Sequence, residues 1–136
     1  THRLPALTPW LDHAVELGCS GVLLGPIFAA VSHGYDTLDF FRIDPRLGDD
    51  ADFDHLVAAC HERGINVLLD GVFNHVGRGL PQFQKALADG PGSPEYELFR
   101  IDPTTGEAAN FEGHDALVDA ERAAHLLREG DGLQTA

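Results

Sequence analysis

Apolar positions along the chain change rhythm several times, and each change predicts an element. Leu11, Ala14, Val15 and Gly18 recur at helical spacing. Thr8-Pro9 ahead of them reads as an N-cap followed by a first-turn proline, and Gly18 is placed to end the helix in a left-handed cap. Gly21 to Phe28 is a short buried strand stopped near Pro26. From Ala29 to Asp50 the pattern predicts one long polar connection, longer than mere linkage requires. A second helix begins at the Asp-rich stretch 48–52, carries Phe53, Leu56, Val57 and Cys60 on one stripe, and closes at Arg63-Gly64. Ile65 to Leu69 is a second strand, with no polar alternation, which predicts burial on both faces. A third helix is expected from Pro81 through Phe83, Ala86 and Leu87 to Gly90, a turn at 102–106, and an amphipathic helix from about Ala116 to Gly130.

Helix, strand, helix, strand with short helix-to-strand links predicts an α/β parallel sheet. Two strands do not make a stable isolated sheet covered on both faces. The chain is therefore expected either to be a piece of a larger sheet or to pair its strands with another chain.

Composition narrows the partners. Among 136 residues the formal net charge is -13, with only 9 Lys+Arg against 22 Asp+Glu, so a phosphate-binding basic patch and a nucleic-acid partner are not expected. No apolar run is long enough to span a membrane, and no membrane partner is expected. Cys19 and Cys60 stand beside apolar helix positions and are expected to be buried free thiols, with a disulfide between them as the alternative. The first residues lack both an apolar signal core and an initiator Met; localisation is left open, leaning to the cytoplasm.

Candidate chemistry collects at two places. Ser32 to Phe41 sets Tyr35 beside Asp36, and sugar recognition uses an aromatic ring for the apolar face of a pyranose and carboxylates for its hydroxyls. Equally, Tyr35 can anchor a loop and Asp36 can cap a turn. Asp70 ends the second strand, with Asn74 and His75 just beyond it, at the strand end where barrels of parallel strands hold ligands. Each of these also has a plain structural reading, Asp70 as an acceptor of backbone bonds and His75 as a satisfied core histidine.

The ordered run Gly34-Tyr35-Asp36-Thr37-Leu38-Asp39-Phe40-Phe41-Arg42-Ile43-Asp44-Pro45-Arg46-Leu47-Gly48, then Asp54-His55-Leu56-Val57, His61-Glu62-Arg63-Gly64-Ile65 and Asp70-Gly71-Val72-Phe73-Asn74-His75, resembles the catalytic barrel of the α-amylase superfamily, glycoside hydrolase family 13. The resemblance implies an α/β fold, a partial (β/α)8 barrel covering roughly the second and third βα units. It implies a barrel portion over 4–119 and a divergent tail over 120–136. It further implies that Tyr35 stacks on the sugar next to the scissile bond, that Asp36 bonds hydroxyls of that sugar, that His75 bonds its primary hydroxyl, and that Asp70 organises the site. Asn74 matches a position that ligates calcium in many amylases, so calcium is an implied cofactor of an intact parent; a metal site in this chain is not assigned. The implied substrate is an α-glucan or maltooligosaccharide, cleaved or transferred with retention through an aspartate nucleophile and a glutamic acid/base. The oligomeric state is not implied.

The match also stops. Neither Arg122 nor Arg128 opens the arginine–any residue–aspartate pattern that carries the nucleophile in the family, and after Asp119 the chain departs from the expected approach to the fourth strand. This chain is therefore expected to hold sugar without breaking the bond, with no catalytic residue of its own, as a fragment of a retaining hydrolase or transglycosylase. The alternative from another class is a non-catalytic carbohydrate-binding protein. A metal hydrolase using His33, Asp36, Asp70 and His75 is a third reading, unsupported by any strong ligand motif.

Overall fold

A computed structural model describes residues 2–110, 115–119 and 122. The chain divides into two compact units, one formed by the described residues of Thr1–Ala30 and Asp39–Gly71, the other by those of Val31–Leu38 and Val72–Ala136.

In the first unit β1 (Gly21–Leu24) pairs in parallel with β4 (Asn66–Leu69), Val22 facing Val67 and Leu24 facing Leu69. The connection runs through β2 (Phe28–Ala30), β3 (Thr37–Ile43) and the helix α2 (Asp50–Glu62), as an α/β reading requires. α2 starts where its sequence says it should. The Asp49 carboxylate accepts the Asp52 N–H, and the Asp52 carboxylate accepts the Asp49 N–H in return, so two of the helix's unsatisfied donors are paired. Gly64, at φ 69°, turns the chain out of the helix and into β4. Leu56 and Cys60 from α2, Leu4 and Leu11 from the N-terminal segment, and Ile43 and Ile65 make the buried core, against which Val22, Leu24 and Val67 pack.

Four expectations are corrected in this unit. Helical structure begins at Leu4, not at Thr8: a 3-10 helix (Leu4–Trp10) runs into α1 (Leu11–Glu16). Leu4 is buried, and the Arg3 and Leu4 N–H groups both donate to the Leu47 carbonyl, which fixes the entry before Thr8 is reached. The run from Gly21 to Phe28 is two strands, broken at Gly25-Pro26, and the supposed long connection contains a β2–β3 pairing. Among the described residues, β1 and β4 are covered on one face. Leu23 and Leu68 are 70% and 53% exposed, because strand side chains alternate and only the Val22, Leu24 and Val67 face meets the core. Finally, Cys60 is buried as expected but Cys19 is exposed; it lies past Gly18 (φ 80°), where the chain has left the apolar stripe.

In the second unit β5 (His75–Gly77) pairs antiparallel with β6 (Asp115–Leu117), His75 opposite Leu117 and Gly77 opposite Asp115. α3 (Pro81–Asp89) follows with proline in its first turn and ends before Gly90 at φ 73°. It buries Phe83 and Ala86 while Leu87 stays exposed. The Phe83 ring meets Phe99 edge to face with centroids 5.1 Å apart, a favourable geometry for two quadrupoles. The turn expected at 102–106 is present, closed by the Gly106 N–H on the Asp102 carbonyl at 2.7 Å. Ala116 and Leu117 are strand residues, not the start of a helix, since their backbone is taken by β5. Val118, bridged to Phe99, and Asp119, whose N–H donates to the Leu98 carbonyl, are not helical either; from residue 120 on, only Arg122 of that expected helix and of the tail over 120–136 is among the described residues. No described helix is long and apolar enough to cross a membrane.

Candidate sugar-binding site

Tyr35 and Asp36 sit on the short loop between β2 and β3, and their environments are opposite. Tyr35 is half-exposed, whereas Asp36 is buried at 1% exposure. The Asp36 carboxylate looks back into its own loop: Oδ2 accepts the Ser32 N–H at 2.9 Å and the Ser32 hydroxyl at 2.6 Å, and Oδ1 accepts the Gly34 N–H at 3.3 Å. The Val31 N–H donates to the Asp36 carbonyl at 3.1 Å and closes the loop. A buried carboxylate is costly unless its lone pairs are filled, and here neutral donors fill them. Burial pushes the Asp36 carboxyl up, but the Ser32 hydroxyl and backbone bonds outweigh it, and its pKa lies below the ordinary 3.8. The structure thus gives Asp36 the turn-capping geometry; it does not present the carboxylate to solvent, where the resemblance would put a sugar.

Tyr35 is held from the other side. Its N–H donates to His33 Nδ1 at 3.2 Å, and the two rings lie 6.0 Å apart. An Nδ1 that accepts cannot carry a proton, so the neutral His33 ring bears its hydrogen on Nε2. Its 3.7 Å approach to Asp36 Oδ1 is then not a hydrogen bond.

His75 lies beyond β4 and is the partly buried first residue of a further strand, β5. Asn74 Nδ2 lies 3.4 Å from His75 Nδ1. The Asn74 carbonyl in turn accepts the Val118 N–H at 3.0 Å, which ties the residue before β5 to the far end of β6. Asp70 belongs to the first unit. It follows β4 directly, is partly buried, and its N–H donates to the Leu24 carbonyl at 3.1 Å, extending the β1–β4 ladder by one rung.

Tyr35, Asp36 and His75 therefore belong to one unit. What joins them is a residue that sequence reasoning passed over. A Cβ on Gly77 would lie 2.7 Å from the Asp36 carbonyl oxygen and 3.2 Å from the Thr37 carbonyl oxygen. Real side chains do not approach backbone that closely, so the base of the Tyr35 loop rests on β5 only because position 77 has no side chain. Alternate residues of a strand share a face, so His75 lies on the same face of β5, roughly 7 Å back along the strand. A lone glycine two residues after a strand histidine was the available signal, as was a serine four residues before an aspartate. Among the described residues, the group of three side chains within reach of one metal ion is His2, Asp49 and Asp52, which includes none of His33, Asp36, Asp70 or His75.

Residues 4–122 match the α-amylase catalytic domain, and the chain belongs to that family. It is 44% identical over 99 residues to an intracellular maltogenic amylase of Bacillus subtilis, covering 72% of this chain and 17% of that protein. It is 49% identical over 92 residues to a cyclomaltodextrinase of a Bacillus species, covering 67% of this chain and 16% of the relative. Among solved structures, a cyclic α-maltosyl-(1→6)-maltose hydrolase from Arthrobacter globiformis in complex with maltose superposes with a TM-score of 0.78 at 31% identity, over 93% of this chain and 32% of the other. The chain thus spans about a sixth of the length of the curated relatives it matches. Its short sheets and α/β order are those of a partial (β/α)8 barrel.

Proposed function

We propose that this chain is the sugar-holding portion of an α-glucan-active, retaining hydrolase or transglycosylase barrel, and that by itself it binds maltooligosaccharide without cleaving it. The observation that carries the reading is the second unit. A half-exposed Tyr35 stands on a loop whose base packs on the strand that opens with His75. Tyr35 supplies an apolar face for a pyranose ring, and His75 supplies an imidazole for a primary hydroxyl. Asp70, in the first unit, is assigned to sugar binding by the resemblance of the run from Asp70 to His75 alone. The relatives are named as maltogenic amylase, cyclomaltodextrinase and maltosyl-maltose hydrolase, which supports an α-glucosidic ligand.

Cleavage with retention needs two carboxyl groups about 5–5.5 Å apart on opposite faces of the linkage. Asp36 is committed to its own loop, and Asp70 is assigned to binding, so bond breaking falls to residues of a longer polypeptide. Titrating maltotriose into the folded, isotope-labelled chain tests this. The expected result is weak binding, with a Kd on the order of 1 mM, worth about 4 kcal/mol, shifts centred on Tyr35 and His75, and no released glucose. A folded chain that binds nothing at several times that concentration sinks the reading, and release of glucose sinks its non-catalytic half.

A further inference from the structure

We propose that Asp36 and Gly77 act together as the positioning device of this subsite: the Asp36 carboxylate sets the Tyr35 turn, and the missing side chain at Gly77 sets that turn at a fixed distance from His75. The proposal rests on the reading of Tyr35 and His75 as sugar-facing residues, and it moves Asp36 from the sugar to the frame behind it.

The geometry supplies both halves. Ser32 N–H, Ser32 hydroxyl and Gly34 N–H converge on one carboxylate within five residues, so the turn that presents Tyr35 closes around Asp36. An aspartate so enclosed has no exposed oxygen with which to meet a hydroxyl, at 1% exposure. The carbonyl of that same residue is the atom a Cβ on Gly77 would strike at 2.7 Å. One residue therefore faces the turn with its side chain and β5 with its backbone. Any shift in the turn is felt at the strand, and any bulk at position 77 lifts the turn and Tyr35 with it. Sub-ångström errors in such a frame matter, because stacking and hydrogen bonding to one sugar need both partners placed at once.

Positioning and direct contact differ in a double-mutant cycle on the 136-residue chain, read by maltotriose affinity. Asp36→Asn is expected to weaken binding tenfold or more, and Gly77→Ala by a similar factor. In a Tyr35→Ala background the further loss from Asp36→Asn is expected to fall below twofold, since a frame has nothing left to position. Losses that multiply in that background mean that Asp36 meets the sugar itself and overturn the proposal. Ser32→Ala, which removes one bond and leaves the carboxylate, is the gentler variant if either substitution impairs folding, with an expected two- to fivefold loss; unchanged affinity there overturns the proposal as well. If the wild-type chain binds no sugar, the functional reading fails separately, and the frame is judged by nuclear magnetic resonance without ligand. Gly77→Ala must then move the Tyr35 and Ser32 amide resonances, and Asp36→Asn must move those of His75; resonances that stay in place refute the device.

Discussion

Asp44 in the first unit and Asp36 in the second are both buried, and the difference between these two aspartates explains what each region is for. Asp44, in the first unit, is 4% exposed and is met by a charge: Arg46 donates through Nε at 2.8 Å and through a terminal nitrogen at 2.6 Å, while the Arg46 and Ala30 N–H groups complete the set. Asp36, in the second, is met only by neutral donors from its own loop. One of the Asp44 bonds, from the Ala30 N–H 14 residues away, pins the end of β3 to the end of β2, while the Arg46 bonds come from two residues on, so Asp44 serves the scaffold. The Asp36 bonds span at most four residues and shape one turn. A carboxylate that joins a local charge-assisted pair to a long-range backbone bond stabilises architecture, whereas one met by local neutral donors defines the pose of a single exposed ring.

That contrast can be broken by substitution. Leu56, 2% exposed, is at the centre of the first unit's core, and Leu56→Ala is expected to lower stability by about 2–5 kcal/mol. Denaturant unfolding measures it; a loss as small as that of an exposed leucine would mean the β1–α2–β4 packing is not what holds this unit. Asp44 comes next. The Arg46 guanidinium, with further help from the Arg46 and Ala30 N–H groups, holds its pKa down to about 2 from an ordinary 3.8. A carboxyl whose folded pKa is depressed contributes stability above its unfolded value and loses it as the pH falls through the folded one. Between pH 4 and pH 2 the chain should therefore lose about 2 kcal/mol through Asp44, and Asp44→Asn should flatten that part of the pH–stability curve. A curve of unchanged slope in the variant would place the acid sensitivity elsewhere.

Smaller effects sharpen the picture. Asp49→Ala removes the N-cap of α2 and is expected to cost about 1 kcal/mol, read by the same unfolding curves. A change below the noise would show that the reciprocal Asp49–Asp52 bonds are redundant with water. At the bottom of the scale, thiol labelling should separate the cysteines with no change in stability. Exposed Cys19 should react promptly, while Cys60, buried and with its thiol pKa pushed up by that burial, should react only on unfolding. Equal rates would contradict the packing of α2.

Much of this was readable beforehand, for local reasons. α2 announces itself by Asp49 and Asp52 at its start and Gly64 at its end, and α3 by Pro81 and Gly90, because caps are satisfied within a few residues of the chain. The parallel pairing of β1 with β4 followed from the order of elements. The β2–β3 pairing was missed because its segments, of 3 and 7 residues, are interrupted by polar loop residues and find each other only in space. That His75 opens a further strand was not legible, since its partner, Leu117, lies far along the chain. Of the site, Tyr35, Asp36 and His75 stood out by residue type and motif order. The direction of the Asp36 carboxylate did not, because it depends on how Ser32 and Gly34 fold back on it.

By itself, then, the sequence determined the family, the α/β order, the helices α2 and α3 and the residue types able to hold a sugar, since each rests on periodicity, helix-end residues or ordered motifs carried along the chain. Only the tertiary structure decided that Asp36 faces inward, that Gly77 must lack a side chain, and that the described residues cover one face of β1 and β4. Those outcomes depend on distances between segments remote in the chain, and hydrogen bonding, close backbone approach and burial are all set by such distances.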